Sequence, residues 1–268
     1  MRISRFIVST AVLLSAAGLA LAASPAARAA SAVSYVALGD SYSSGLGAGN
    51  YIASSGSCDR SNNAYPERWS GGNSPASFVS VACAGATTAD VIASQVPALN
   101  AGTTLVSITI GGNDAGFSSV METCVLGSTG SCLSAVSAAE GFVATQLPAR
   151  LDNTLATIRA HAPDARVVVL GYPEFYDLSR SGSCIGLSTS DRAALDGGAD
   201  ALDNALATAA RAYGDTFADV RPQFAGHEIC DPGSWLNSVD IFDISASYHP
   251  NASGQELGYL PVFSAAAR

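Results

Sequence analysis

Four short stretches of the chain combine residue types that could carry out an acyl transfer. Gly39-Asp40-Ser41 follows an apolar run and places a serine hydroxyl where the chain turns, the exposed setting a nucleophile needs. Cys83-Ala84-Gly85 offers a glycine whose backbone can approach a bound group and donate its N–H. Gly111-Gly112-Asn113-Asp114 presents the Asn113 amide as a donor to a developing oxyanion, with two glycines clearing space beside it. His249-Pro250-Asn251 supplies an imidazole, whose ordinary pKa suits a general base near neutrality. Each stretch is weak alone, because Gly-Asp-Ser and Gly-Gly-Asn-Asp are also plain turn sequences and a lone histidine before proline is often structural. Of the other two histidines, His161 closes a helical run, where a cation suits the helix end, and His227 lies in a loop near Cys230. In chain order the set supplies a nucleophile, oxyanion donors and a base.

The elements that must position these residues follow from hydrophobic period. Short β-branched runs at Ser34–Leu38, Phe78–Ala82, Thr104–Ile110, Arg166–Leu170 and Thr216–Val220 are bounded by Gly, Pro or Asp and predict strands. Helical spacing over Thr88–Leu99, Ser134–Ala160 and Ser190–Tyr213, and a closing helix after Pro250, predicts the connections. Buried strands alternating with helices give an α/β domain of about five parallel strands covered on both faces. Each of the first three strands then ends at one of the chemical motifs, at the carboxyl edge where open α/β sheets bind ligands. Ser43–Ser77, rich in Gly, Ser and Asn, reads as a long loop framing that edge.

Arg2 and Arg5 precede an apolar run from Phe6 to Ala22 and a small-residue stretch ending Ala27-Arg28-Ala29. This is the layout of a secretory signal peptide over residues 1–29, which leaves 30–268 as a single domain that is secreted and extracellular. No later segment approaches the ~20 apolar residues that span a bilayer, so no stable membrane anchor is expected. The formal charge of -9 becomes -12 once Arg2, Arg5 and Arg28 are removed, a balance that argues against nucleic acid and anionic bilayers as partners. Six cysteines remain, an even count that reads as three disulfides in an exported chain, and their spacing matches no zinc cluster. Cys124 and Cys132 flank a local loop containing Gly127 and Gly130, the cheapest pairing. Sequential pairing of Cys58 with Cys83 and Cys184 with Cys230 is expected for the rest, among the fifteen connectivities that six cysteines allow.

The motif set resembles the secreted GDSL lipases and esterases of the SGNH hydrolase superfamily. The likeness runs through Gly39-Asp40-Ser41, Gly85, Gly111-Gly112-Asn113-Asp114 and His249-Pro250, and so spans nearly the whole chain beyond the leader. Six cysteines and an alanine-rich composition without lysine look like the actinomycete branch, which includes extracellular lipases and phospholipases A1. The resemblance implies a three-layer α/β/α, flavodoxin-like fold, no metal and no cofactor. It also implies Ser41 as nucleophile, His249 as base, and an oxyanion hole made by the N–H groups of Ser41 and Gly85 with the Asn113 amide. The family usually carries Asp three residues before the histidine, and here that position is Ala246. Two solutions stay open: a backbone carbonyl of Ala246 or Ser247 orients the imidazole, or Asp243 reaches back to it. The carbonyl is favoured, by similarity to relatives that work with a Ser-His dyad. The expected substrate is a lipid ester, a neutral glycerolipid or a phospholipid cleaved at its sn-1 ester, met by a monomer. A carbohydrate acetylesterase of the same fold and a non-catalytic secreted binding module are the alternatives.

Overall fold

A computed structural model describes residues 32–183, 186–240 and 242–268; the predicted signal peptide and Cys184 lie outside the described residues. Five parallel strands, β1 (Ser34–Ala37), β2 (Ser77–Ser80), β3 (Leu105–Ile108), β4 (Arg166–Leu170) and β5 (Thr216–Ala218), form one sheet in the order β2-β1-β3-β4-β5. The register pairs Tyr35 with Leu105, Val106 with Val167 and Val169 with Phe217. This is the flavodoxin-like order, which reverses direction between β1 and β3 and opens a crevice there at the carboxyl ends of the strands. Every residue of β3 is buried, as expected of a central strand covered on both faces, whereas edge strand β2 alternates exposed with half-buried.

The helices are α1 (Ser41–Ser44), α2 (Tyr65–Asn73), α3 (Thr88–Asp90), α4 (Phe117–Leu126), α5 (Thr129–Thr145), α6 (Leu147–His161), α7 (Thr189–Ala212), α8 (Arg221–Phe224) and α9 (Leu260–Ala266). Three depart from the sequence expectation. The run 134–160 is two helices, because Pro148 in the first turn of α6 has no N–H to continue the α5 ladder, which closes with the Gln146 N–H on the Phe142 carbonyl. The supposed loop 43–77 contains α2. Its glycines and asparagine disguise a helix whose Tyr65 and Trp69, four residues apart, are buried against Tyr35 and Phe263. The third departure, α4, follows the Asn113 turn, with Ser118, Ser119 and Glu122 on its exposed face and Met121 and Cys124 buried on the other.

Disulfides join Cys58 to Cys83 and Cys124 to Cys132. The first ties the segment after α1 to the end of β2, beside Gly85; the second links α4 to α5. Cys230 is disulfide-bonded too, while the cysteine assigned to it from sequence, Cys184, is outside the described residues.

Helix α7 holds the turn after β4 with buried carboxylates. Asp196 Oδ1 accepts from the Phe175 N–H at 2.8 Å and the Tyr176 N–H at 3.2 Å, and Asp203 Oδ1 accepts from the Tyr172 N–H at 2.8 Å. Burial raises Asp196 to about 7 against the lowering effect of those two N–H groups. The folded protein therefore keeps this proton to higher pH than the unfolded chain, so the contribution to stability is greatest below about pH 4 and is lost as the pH rises towards 7. Asp196→Ala orphans two buried N–H groups and is expected to cost about 2 kcal/mol in thermal unfolding at pH 8. Asp196→Asn keeps an acceptor and removes the buried charge, so it should equal or exceed the parent protein; equal losses in both variants would refute this account.

Candidate active site

The nucleophile motif sits at the reversal point of the sheet. Gly39 adopts φ +124° and passes so close to β3 that a Cβ there would lie 2.6 Å from the Thr109 carbonyl oxygen. Gln95 fixes this turn from both sides, accepting from the Gly39 N–H at 2.7 Å and donating to its carbonyl at 2.8 Å. Asp40 caps α1, its Oδ1 accepting from the Tyr42 N–H at 3.0 Å and the Thr109 hydroxyl at 2.7 Å, while Oδ2 accepts from the Tyr172 hydroxyl. Burial pushes Asp40 up to about 6, against the lowering effect of these bonds. Ser41 thus opens a buried helical turn with its own N–H left over, as first-turn N–H groups are.

Ser41 and His249, 208 residues apart in sequence, meet here: Ser41 Oγ lies 2.8 Å from His249 Nε2. On the far side of the ring Nδ1 lies 2.9 Å from the Ser247 carbonyl oxygen. A carbonyl can only accept, so Nδ1 carries the proton and Nε2 presents its lone pair to the serine hydroxyl. The carbonyl of Ala246 does not take the orienting role left open to it from sequence. It accepts from the His249 backbone N–H at 3.2 Å and from Asn237 Nδ2 at 3.3 Å. Asp243 is exposed and its Oδ1 accepts from the Ser245 hydroxyl at 2.6 Å, so its effect on the ring is that of a nearby charge. Burial lowers His249 to about 4, outweighing the Ser247 bond and the Asp243 charge, which both raise it. The imidazole is packed between Tyr42 and Phe117, with ring centroids 5.1 and 6.1 Å away.

The two remaining motifs are fastened to one another. Asn113 Nδ2 donates to the Ala86 carbonyl at 3.0 Å, one residue from Gly85, which leaves the second amide hydrogen available. Asp114 accepts from the Thr88 N–H at 2.9 Å and hydroxyl at 2.6 Å and pairs with Arg150 at 3.2 Å. Gly85 is exposed at φ +79°, and its N–H has no acceptor among the described residues. Sequence reasoning missed Tyr42, Gln95, Tyr172 and Asn237, which hold the motifs from outside them. Only Tyr42 carried a signal, its adjacency to Ser41. Of the other histidines, His161 Nδ1 is 2.9 Å from the Thr157 carbonyl and His227 stacks on Trp235 at 3.8 Å, both remote from the dyad in role. Among the described residues no group of three or more His, Cys, Asp or Glu is placed to hold a metal ion.

An apolar cavity of about 700 Å³, counted to its open mouth, begins at Asp40, Ser41 and Asn113 and runs in between α4, α5 and α7. Phe117, Met121, Val136, Phe175 and Leu202 line it. Its lining is mostly apolar with a few convergent polar groups, the character expected of a small-molecule site.

Comparison with known proteins gives the same picture. The chain is 51% identical over 270 residues to Lipase 1 of Streptomyces coelicolor, covering all of both chains. The structure resembles phospholipase A1 from Streptomyces albidoflavus NA297, with TM-score 0.86 and 52% identity, and the extracellular lipase of Streptomyces rimosus, with TM-score 0.85 and 49% identity. Each likeness covers 88% of this chain and all of the other. Residues 37–257 match the GDSL-like Lipase/Acylhydrolase family, a span that opens in β1 and takes in Ser41, Gly85, Asn113 and His249; the chain belongs to that family.

Proposed function

We propose that the chain is a secreted ester hydrolase that releases fatty acids from neutral or zwitterionic glycerolipids through an acyl-enzyme on Ser41. The observation that carries this reading is the Ser41–His249 pair, 2.8 Å between Oγ and Nε2, with Ser41 lining an apolar cavity. His249 takes the Ser41 proton as Oγ attacks the ester carbonyl, and the carbonyl oxygen becomes an oxyanion held by the Ser41 and Gly85 N–H groups and the free Asn113 amide hydrogen. The imidazolium keeps its Nδ1–H on the Ser247 carbonyl and returns the other proton to the leaving alcohol. Water then attacks the acyl-enzyme with His249 again as base. A carbonyl stabilises the imidazolium less than a carboxylate does, so the oxyanion donors carry more of the barrier lowering.

The apolar cavity favours a fatty acyl chain over an acetyl group. Secretion is supported by the arginines, apolar run and small residues of 1–29, with 30–268 as one domain, and by the rimosus relative, which is named extracellular. No described helix is long and apolar enough to cross a membrane. Net negative charge favours lipid surfaces that are not anionic.

Ser41→Ala should abolish hydrolysis of p-nitrophenyl esters with an almost unchanged Tm; a tenth of the parent activity remaining would assign the chemistry elsewhere. Parent activity on acetyl esters alone, with none on butyryl or longer chains, would make the enzyme an acetylesterase instead.

Because the base must be neutral and burial holds His249 at about 4, activity should survive acidification well past the ordinary imidazole value of 6.5. The acid limb of kcat/KM is expected at or below about pH 5 on a soluble ester. A midpoint near 6.5 would mean that the imidazole is solvated in the working enzyme.

Asp243→Ala should keep at least about a third of the parent kcat/KM, since a carboxylate truly bonded to the base is worth about four orders of magnitude. The acid limb should move further down, because the charge that raises His249 is gone. A hundredfold loss with a normal Tm would put Asp243 in the machinery.

A further inference from the structure

Helix α7 carries two adjacent glycines, Gly197 and Gly198, in the middle of its 24 residues, where glycine is less favourable than alanine. Neither has a positive φ, so the backbone does not require them. Close packing does not require Gly198 either: a Cβ built on it would lie 3.6 Å from Val136 Cγ1 of α5, an ordinary contact. Gly198 lines the apolar cavity beside Ser41, so what it contributes is the space its missing side chain leaves between α5 and α7. Across the cavity, Glu140 and Val143 of α5 line it as well. The same two residues border a second, outer groove of about 1230 Å³ where α5, α6 and α7 meet, flanked by Pro148, Ala205 and Tyr213. Glu140 and Val143 are therefore the wall between the inner cavity and the outer groove.

Resting on the ester-hydrolase reading above, we infer that Gly198 and the Glu140–Val143 wall set the acyl-chain length this enzyme accepts. The acyl chain enters past Ser41, occupies the depth that Gly198 leaves open, and stops at the wall. A side chain at 198 fills that depth from the α7 side, and a smaller residue at 143 opens a way for longer chains into the outer groove. The two changes are expected to move the chain-length preference in opposite directions.

The test is the ratio of kcat/KM for p-nitrophenyl laurate to that for p-nitrophenyl butyrate, read with Tm for each variant. Gly198→Leu is expected to lower the ratio by at least about tenfold, the scale on which a hydrophobic pocket discriminates by methylene groups. Gly198→Ala, whose Cβ the structure accommodates, should lower it by about threefold with an equal or higher Tm and covers the case in which the leucine variant fails to fold. Val143→Ala should raise the same ratio. A ratio unchanged within twofold in Gly198→Ala and Gly198→Leu, or a Val143→Ala ratio that falls with theirs, overturns the inference. The parent protein separates the two levels: if it hydrolyses neither ester the hydrolase reading fails, whereas normal parent turnover with unmoved ratios defeats only the chain-length assignment.

Discussion

The Asp40 carboxylate is the point on which the site rests. A buried carboxylate is tolerated only when its oxygens are hydrogen-bonded, and here the donors come from the backbone of α1 (Tyr42), the end of β3 (Thr109) and the turn after β4 (Tyr172). Two segments distant in sequence, together with α1 itself, are therefore pinned to the residue preceding Ser41. The constraint propagates outward. Tyr172 lends its hydroxyl to Asp40 and its backbone N–H to Asp203 of α7, so the turn between them is fixed at both ends, and its ring becomes a wall of the apolar cavity. Ser41, the apolar cavity and the helix layer share one network of bonds.

The histidine is delivered by a different device. Tyr248, just before it, has φ +64°, a conformation that costs a non-glycine residue about 1–3 kcal/mol and persists only where its surroundings over-determine it. They do: its N–H donates to the Asn237 carbonyl at 2.9 Å, its carbonyl accepts from the Tyr42 hydroxyl at 2.7 Å, and its own hydroxyl meets that of Tyr176 at 3.2 Å. The Tyr42 bond links α1, which opens with Ser41, to the peptide that precedes His249. Beside this kinked backbone the Ser247 carbonyl lies 2.9 Å from His249 Nδ1, on the side of the ring where a carboxylate at position 246 is missing. Asp243 caps the turn before this kink, accepting from the Ser245 hydroxyl and the Ala246 N–H, and the bonds that hold Tyr248 come from other residues.

Strand positions and the placing of Ser41, Asn113 and His249 were legible in the sequence because each depends on local pattern: apolar runs of strand length, then turn residues at their ends. Strand ends ran one or two residues long, because buried apolar residues continue past the last residue of the strand, at Leu38, Ile110 and Val220. The α2 helix was illegible because it is held by aromatic packing across a separation of about 190 residues, which no local propensity records. Pro148, by contrast, was a local signal for the break between α5 and α6 and was overridden by the apolar spacing around it. The choice between Ser247 and Ala246 was also beyond the sequence, because it turns on the φ of Tyr248 rather than on any side chain.

Ionisation ties activity to stability in a way that follows from burial alone. His249 is lowered from 6.5 to about 4 in the fold, so the unfolded chain binds that proton first and stability falls as the pH drops from 6.5 towards 4. Asp40, Asp196 and Asp203 are raised by burial to about 6, 7 and 8, so they act with the opposite sign, losing stability as the pH climbs from about 4 towards those values. Between about pH 4 and 6 the one histidine offsets only part of the loss from the three carboxyl groups, so the net slope still runs downward as the pH rises. Above 6.5 the histidine has nothing further to contribute, and only the carboxylates remain to pull stability down. The desolvation that keeps the His249 imidazole neutral in acid is thus the same physical effect that makes the buried carboxyl groups around the site less favourable as the pH rises.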